Sequence, residues 1–186
     1  MAIAAVPAYL GNDFASASPG LRFGLYLQVW GSDFANQKDK AEPLKRAGKL
    51  NSNDMATMKS VYERQRASFK TIASGTNTLQ LEAIATAPFA TGLGNEHPTE
   101  NGFAFLNPYG LPYLPGSGVK GVLRQAAREL ASGEWGDSGW TGEHITALFG
   151  PEAGAEASVE ALTRGALTFW DVIPQIKSEQ LMLLKI

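Results

Sequence analysis

The residues best placed to do chemistry form the run Leu114-Pro115-Gly116-Ser117-Gly118-Val119-Lys120-Gly121-Val122-Leu123-Arg124. Gly116, Gly118 and Gly121 let a backbone come close to a ligand, and a helix opening behind them presents N–H groups that its own first turn cannot use. The pattern predicts a glycine turn, with Gly118 free to take φ > 0, leading into a helix whose N-terminus receives an anion, most naturally a phosphate. Lys120, Arg124 and Arg128 recur every fourth residue and so form one ridge on that helix. A ridge of this kind is either a phosphate contact or a solvated face.

Other chemistry is sparse. There are two histidines and no cysteine, so there is no thiolate site and no disulfide framework. His97 lies in the loop Asn95-Glu96-His97-Pro98-Thr99-Glu100, where it serves as a base, a stacking surface or a structural residue; His144 falls in a short helix and reads as structural. No His/Cys/Asp/Glu grouping has metal-ligand spacing, and no catalytic triad can be assembled. Asp171, inside an apolar stretch, suits a carboxylate that caps a neighbouring turn. Neither a catalytic residue, a metal nor a cofactor is expected.

The elements that must position the glycine run follow from periodicity. Val119, Val122, Leu123, Ala126, Ala127 and Leu130 trace the apolar stripe of an amphipathic helix over 119–131. Before it, 103–106 and 111–114 flank Asn107-Pro108-Tyr109-Gly110, a turn that folds them into a hairpin. Residues 79–86 alternate well enough for a strand; strands are also predicted at 166–172 and 181–186, with short helices near 143–148 and 158–163. The first third reads as mainly helical. Ser18-Pro19 starts a helix, 21–30 reads as helix or strand with helix preferred, Pro43 limits whatever helix precedes it, and Ser52 or Asn53 caps a helix through Phe69.

This gives an α+β chain with a helical N-terminal extension over 1–72 and a domain over 73–186. Strand, helix, strand, strand is the opening part of a ferredoxin-like (RRM-like) fold, incomplete because the second helix and last strand are missing. The chain stops inside Leu181-Met182-Leu183-Leu184-Lys185-Ile186, which suggests truncation at the C-terminus and self-association through an uncovered strand or by exchange of N-terminal helices.

Gly116-x-Gly118-x-x-Gly121 formally satisfies a dinucleotide-binding fingerprint, an alternative reading as a nucleotide-binding domain. Two prolines in the preceding 111–115, however, do not suit a central parallel strand. A P-loop fails, because Gly121 is followed by Val122 and Leu123 rather than by Lys and Ser or Thr. The run Pro115 to Arg124 instead resembles the glycine-rich signature of the RAMP superfamily, the RNA-binding subunits of CRISPR effector complexes. Thr91-Gly92-Leu93-Gly94-Asn95 with Glu100-Asn101-Gly102-Phe103, then Leu148-Phe149-Gly150 and Gly165-Ala166-Leu167-Thr168-Phe169-Trp170-Asp171-Val172-Ile173-Pro174, are similar to further blocks of its Cmr (type III-B) sixth-subunit family. The four blocks stand in the right order over residues 79–186.

The resemblance implies a non-catalytic, cytoplasmic RNA-binding subunit of antiviral defence. Its partners would be guide RNA, target RNA and the other RAMP subunits of a Cmr complex. Gly116, Ser117 and Gly118 would offer N–H groups, and Lys120, Arg124 and Arg128 charge. Gly94, Asn95 and His97 would form an upstream loop, and Tyr109 or Tyr113 a stacking surface unless they belong to the hairpin core. The alternative within the superfamily is a metal-independent endoribonuclease using His97 or Asp171.

Charge distribution is compatible with a nucleic-acid partner, although the basic 38–70 region taken alone reads rather as a solvated helical face. The 186 residues, 44% hydrophobic with formal charge -2, can bury a real core. Beneath that near-neutral total, 38–70 holds nine cations against four acids, whereas 129–160 holds seven acids and no Lys or Arg. No run is long and apolar enough for a membrane span, and the N-terminus lacks the basic region of a signal peptide.

Overall fold

Asn51 and Asp54 carry the strongest local instruction in the N-terminal half. In the computed structural model, which describes residues 3–31, 33, 35, 40–73, 77–151, 164–179 and 181, they form a reciprocal cap. Asn51 Oδ1 accepts from the Asp54 N–H at 2.8 Å, and Asp54 Oδ2 accepts from the Asn51 N–H at 2.9 Å. The cap of the long helix α3 (Ser52–Ile72) is therefore Asn51, one or two residues before the expected Ser52 or Asn53. Before it come α1 (Pro19–Gly24), with proline at its first position as expected, and α2 (Ala41–Ala47), where Pro43 sits inside the first turn instead of ending an earlier helix. The helix expected over 21–30 stops at Gly24. Leu27 and Val29 alternate into the core as extended chain, and Trp30 pairs with Ile3.

The molecule divides into two compact units, Met1–Tyr113 with Ile173–Ile186, and Leu114–Val172. In the first, Phe23, Leu27, Val29, Leu44 and Ala47 make one core cluster, and Leu50, Met58, Leu111 and Ile173 a second. The hairpin forms as the turn residues require: β1 (Phe105–Leu106) and β2 (Leu111–Pro112) are antiparallel, with Leu106 opposite Leu111. Because Leu50 and Met58 share a cluster with Leu111, the boundary expected near residue 72 falls within this unit. Residues 173–179 and Leu181 return to it, the Leu181 N–H donating to Gly48 O and the Leu50 N–H to Glu179 O, both at 2.8 Å.

A buried arginine ties the three helices together. Arg22 of α1 donates from Nη1 to Arg46 O at 2.8 Å and from Nη2 to Lys49 O, satisfying carbonyls at the end of α2, and lies 3.8 Å from Asp54 Oδ2. Burial pulls its guanidinium below its usual pKa, and the Asp54 charge works in the opposite direction.

The strand expected over 79–86 does not form: these residues lie exposed, Ile84 at 92%, without a ladder partner among the described residues. Alternation specifies a strand only where a neighbour accepts its hydrogen bonds and a core covers one face. The sheet seen among the described residues therefore has two strands, and the chain is α+β.

In the second unit α4 (Gly116–Ala131) packs with α5 (Gly142–Phe149), the helix expected near 143–148. Ala127, Ile145 and Phe149 form the core, and Phe169 stacks on Phe149. The expected strand 166–172 reduces to an antiparallel bridge between Leu114 and Val172, preceded by bonds from Ala166 and Leu167 to the end of α5. The helix expected over 158–163 and the strand over 181–186 lie outside the described residues, apart from Leu181.

Candidate nucleic-acid interface

The glycine run is helical from its first glycine, three residues earlier than expected. Pro115 is the N-cap, its fixed φ and missing N–H suiting the boundary, and none of Gly116, Gly118 and Gly121 has positive φ. The expected glycine turn is thus a first helical turn, and the positive φ that Gly118 permits is not used. Gly116 serves close approach: a Cβ there would stand 2.5 Å from Phe169 O, whereas at Gly118 the nearest atom would be Leu114 Cδ1 at 3.9 Å. The helix N-terminus also already has an anion. Asp171 Oδ1 accepts from the Gly116 N–H at 2.7 Å, held in place by the Leu114–Val172 bridge beside it. Gly116 is buried and committed to that carboxylate, leaving the exposed Ser117 and Gly118 as the N–H-bearing residues at the surface of the first turn.

The cation ridge separates into unlike members. Arg124 is half-buried and donates to Gly150 O at 2.9 Å and Pro151 O at 3.4 Å, so it caps the C-terminal end of α5. Lys120 is half-buried and Arg128 exposed. The face of α4 that packs runs through Gly116, Arg124, Ala127 and Ala131, and the expected apolar stripe is displaced from it: Val122 is 71% and Leu123 46% exposed. Alanines at 127 and 131 let α5 come close, and the arginine answers the carbonyls at its end. Between the helices lies an open groove of about 520 Å³ lined by Arg124, Arg128, Ser132 and Thr146 among others.

Within the first unit, Gly94 and Asn95 are exposed in a loop closed by the Gly102 N–H donating to Asn95 O at 3.0 Å. His97 turns inward. Its ring stacks on Phe23 with centroids 3.9 Å apart, Nε2 donates to Phe23 O at 3.0 Å, and Nδ1 is 2.8 Å from Thr99 Oγ1 and accepts from the Thr99 N–H at 3.2 Å. These partners define the Nε2–H tautomer of a neutral imidazole. Burial holds its pKa below the usual value; the Phe23 carbonyl raises it and the Lys40 charge lowers it. Tyr113 packs in the Leu50–Met58–Leu111 cluster. Tyr109 packs partly there too, and its hydroxyl accepts from Arg64 Nη2 at 2.7 Å. His144 stands edge-on to Trp140 at the start of α5.

Sequence reasoning singled out neither Arg64 nor Arg22. Arg64 was legible only as part of a basic segment, and Arg22 carried no local signal because its partners lie on two other helices. Among the described residues no group of His, Cys, Asp and Glu could hold a metal ion, and no helix is long and apolar enough to cross a membrane. The strand before the glycine run is one of an antiparallel pair, unlike the buried parallel strand that a dinucleotide fingerprint requires.

An α+β chain whose glycine-led helix carries basic residues is the setting in which the comparison with known families becomes specific. The RAMP superfamily model matches residues 82–183, more than half of the chain, and the chain belongs to that superfamily. That family is one of CRISPR-associated, RNA-interacting proteins. No curated protein and no solved structure matches the chain.

Proposed function

We propose that this chain is a non-catalytic RNA-binding subunit of a Cmr (type III-B) CRISPR effector complex, resembling the sixth subunit of that series. In this reading it binds the 3′ region of guide RNA, target RNA or both, and packs against other RAMP subunits in antiviral defence. The observation that carries it is the run Pro115 to Arg124, inside the family-matched segment, which forms the start of α4 with Ser117, Gly118 and Arg128 exposed. Ser117 and Gly118 offer N–H groups to a phosphate oxygen, and Lys120 and Arg128 supply charge within a few turns of the same helix. Gly94 and Asn95 belong to the same proposal as an exposed loop. Arg124 and Gly116 support the start of α4 by holding α5 and the carboxylate cap, and His97, in the other unit, holds the loop of Gly94 and Asn95 to Phe23.

Binding of single-stranded guide RNA, followed by fluorescence anisotropy over a salt series, tests the reading. Lys120→Ala with Arg128→Ala should weaken binding and lower the salt slope by about 1.4 at ~0.7 per phosphate contact. Affinity and slope equal to wild type would remove α4 from the interface. The same RNA, incubated with the protein without metal, should remain intact; cleavage abolished by His97→Ala would instead favour the endoribonuclease.

A further inference from the structure

The helix α3 carries a second basic surface, outside the residues that the family model matches. Its acid Asp54 is buried and committed to the Asn51 N–H and to Arg22, so it contributes little to the outer field. Lys59, Arg66 and Lys70 recur at i, i+7 and i+11 and share one exposed face, a ridge about 16 Å long at ~1.5 Å per residue. Glu63 lies within it and reaches Lys59 at 3.9 Å, an exposed pair that leaves a net positive ridge. Arg64 extends from the same helix to the hairpin turn. There its Nη2 donates to Tyr109 Oη at 2.7 Å, and its Cζ lies 5.5 Å from the Tyr109 ring centroid. An exposed, planar guanidinium is thereby fixed beside an aromatic ring.

From this juxtaposition we infer that α3 and the hairpin turn form a second single-strand RNA contact, with Lys59, Arg66 and Lys70 tracking the phosphates and the Arg64–Tyr109 pair stacking a base. Guanidinium planes and aromatic rings are the surfaces on which unpaired bases stack, and cations at helical spacing follow a backbone without reading sequence. The inference rests on the RNA-binding reading above and shares with it only Tyr109; Lys59, Arg64, Arg66 and Lys70 are new to it.

Labelled single-stranded oligouridine and an abasic oligonucleotide of equal length separate the two components. Lys59→Gln, Arg66→Gln and Lys70→Gln together should lower the salt slope by about 2 at ~0.7 per contact, for both oligonucleotides. Arg64→Lys keeps the charge and removes the plane. It should lower oligouridine affinity roughly tenfold with an unchanged slope, and leave abasic binding as it was. Wild-type binding to RNA with both variants unaltered overturns this surface while the proposed function stands. No binding by the wild-type chain overturns both, and displacement by polyglutamate as effective as by RNA would assign the ridge to an acidic protein.

Discussion

Glycines that look alike in the sequence have opposite roles once their neighbours are known. Gly116 stands where a Cβ would meet Phe169 O at 2.5 Å, and Gly118 where it would meet nothing closer than 3.9 Å. Gly116→Ala should therefore destabilise the protein by about 1–3 kcal/mol through overpacking. Gly118→Ala should stabilise it by up to about 1 kcal/mol, as removal of an exposed helical glycine does. Chemical denaturation of both variants checks the opposite signs. Asp171 was legible as a capping carboxylate, but which N–H it caps was not, since Gly116 is distant in sequence and meets it only through the Leu114–Val172 bridge. Asp171→Ala should lower the midpoint of unfolding by an amount corresponding to about 0.3–1 kcal/mol, the usual value of a negative charge at a helix N-terminus.

At the scale of elements, α4 was the most legible and its packing the least. Its existence followed from a clear amphipathic period, yet Arg124 lies on the packed face while Val122 and Leu123 point outward. Hydrophobicity ranks faces by the water they avoid; it does not register that the carbonyls ending α5 require a donor. Arg124→Ala should cost about 1–3 kcal/mol by leaving the Gly150 and Pro151 carbonyls unanswered, whereas Lys120→Ala should be close to neutral for stability. Thermal unfolding of the two single variants separates them. The hairpin and α3 were read well because turn residues and a capping pair are local signals, while 79–86 failed because alternation alone does not supply a partner strand.

The loop holding His97 adds a pH dependence to α1. Its folded pKa lies below the unfolded one, so the neutral ring is the form the fold prefers. The stabilisation is fully present above the unfolded pKa of about 6.5 and is lost as pH falls through the lower folded value. Protonation would place a hydrogen on Nδ1, against the Thr99 N–H, beside the Lys40 charge. Denaturant midpoints of wild type and His97→Gln, compared at about pH 8 and below about pH 6, should converge in acid, with wild type losing more. Parallel curves would mean that the Phe23 stack does not depend on the charge of the ring.

At the scale of the whole molecule, charge segregation is the feature most plainly written in the sequence. The excess of cations over 38–70 was plain in the sequence, and the structure directs it outward along α3 by burying Asp54 against Arg22. Leu50 and Met58 pack with Leu111 and so bind α3 to the hairpin, a contact for which the sequence holds no local signal. A basic α3 and a glycine-led α4, each within its own unit, lead to an account in which the protein holds single-stranded RNA in a larger CRISPR complex. Ultraviolet crosslinking of the Cmr complex assembled with this chain and its guide RNA tests that account most directly. Crosslinked peptides from α3 and from the start of α4, joined to the 3′ part of the guide or to bound target, are the predicted result. A complex that assembles and crosslinks RNA through its other subunits, with no adduct on this chain, would contradict it.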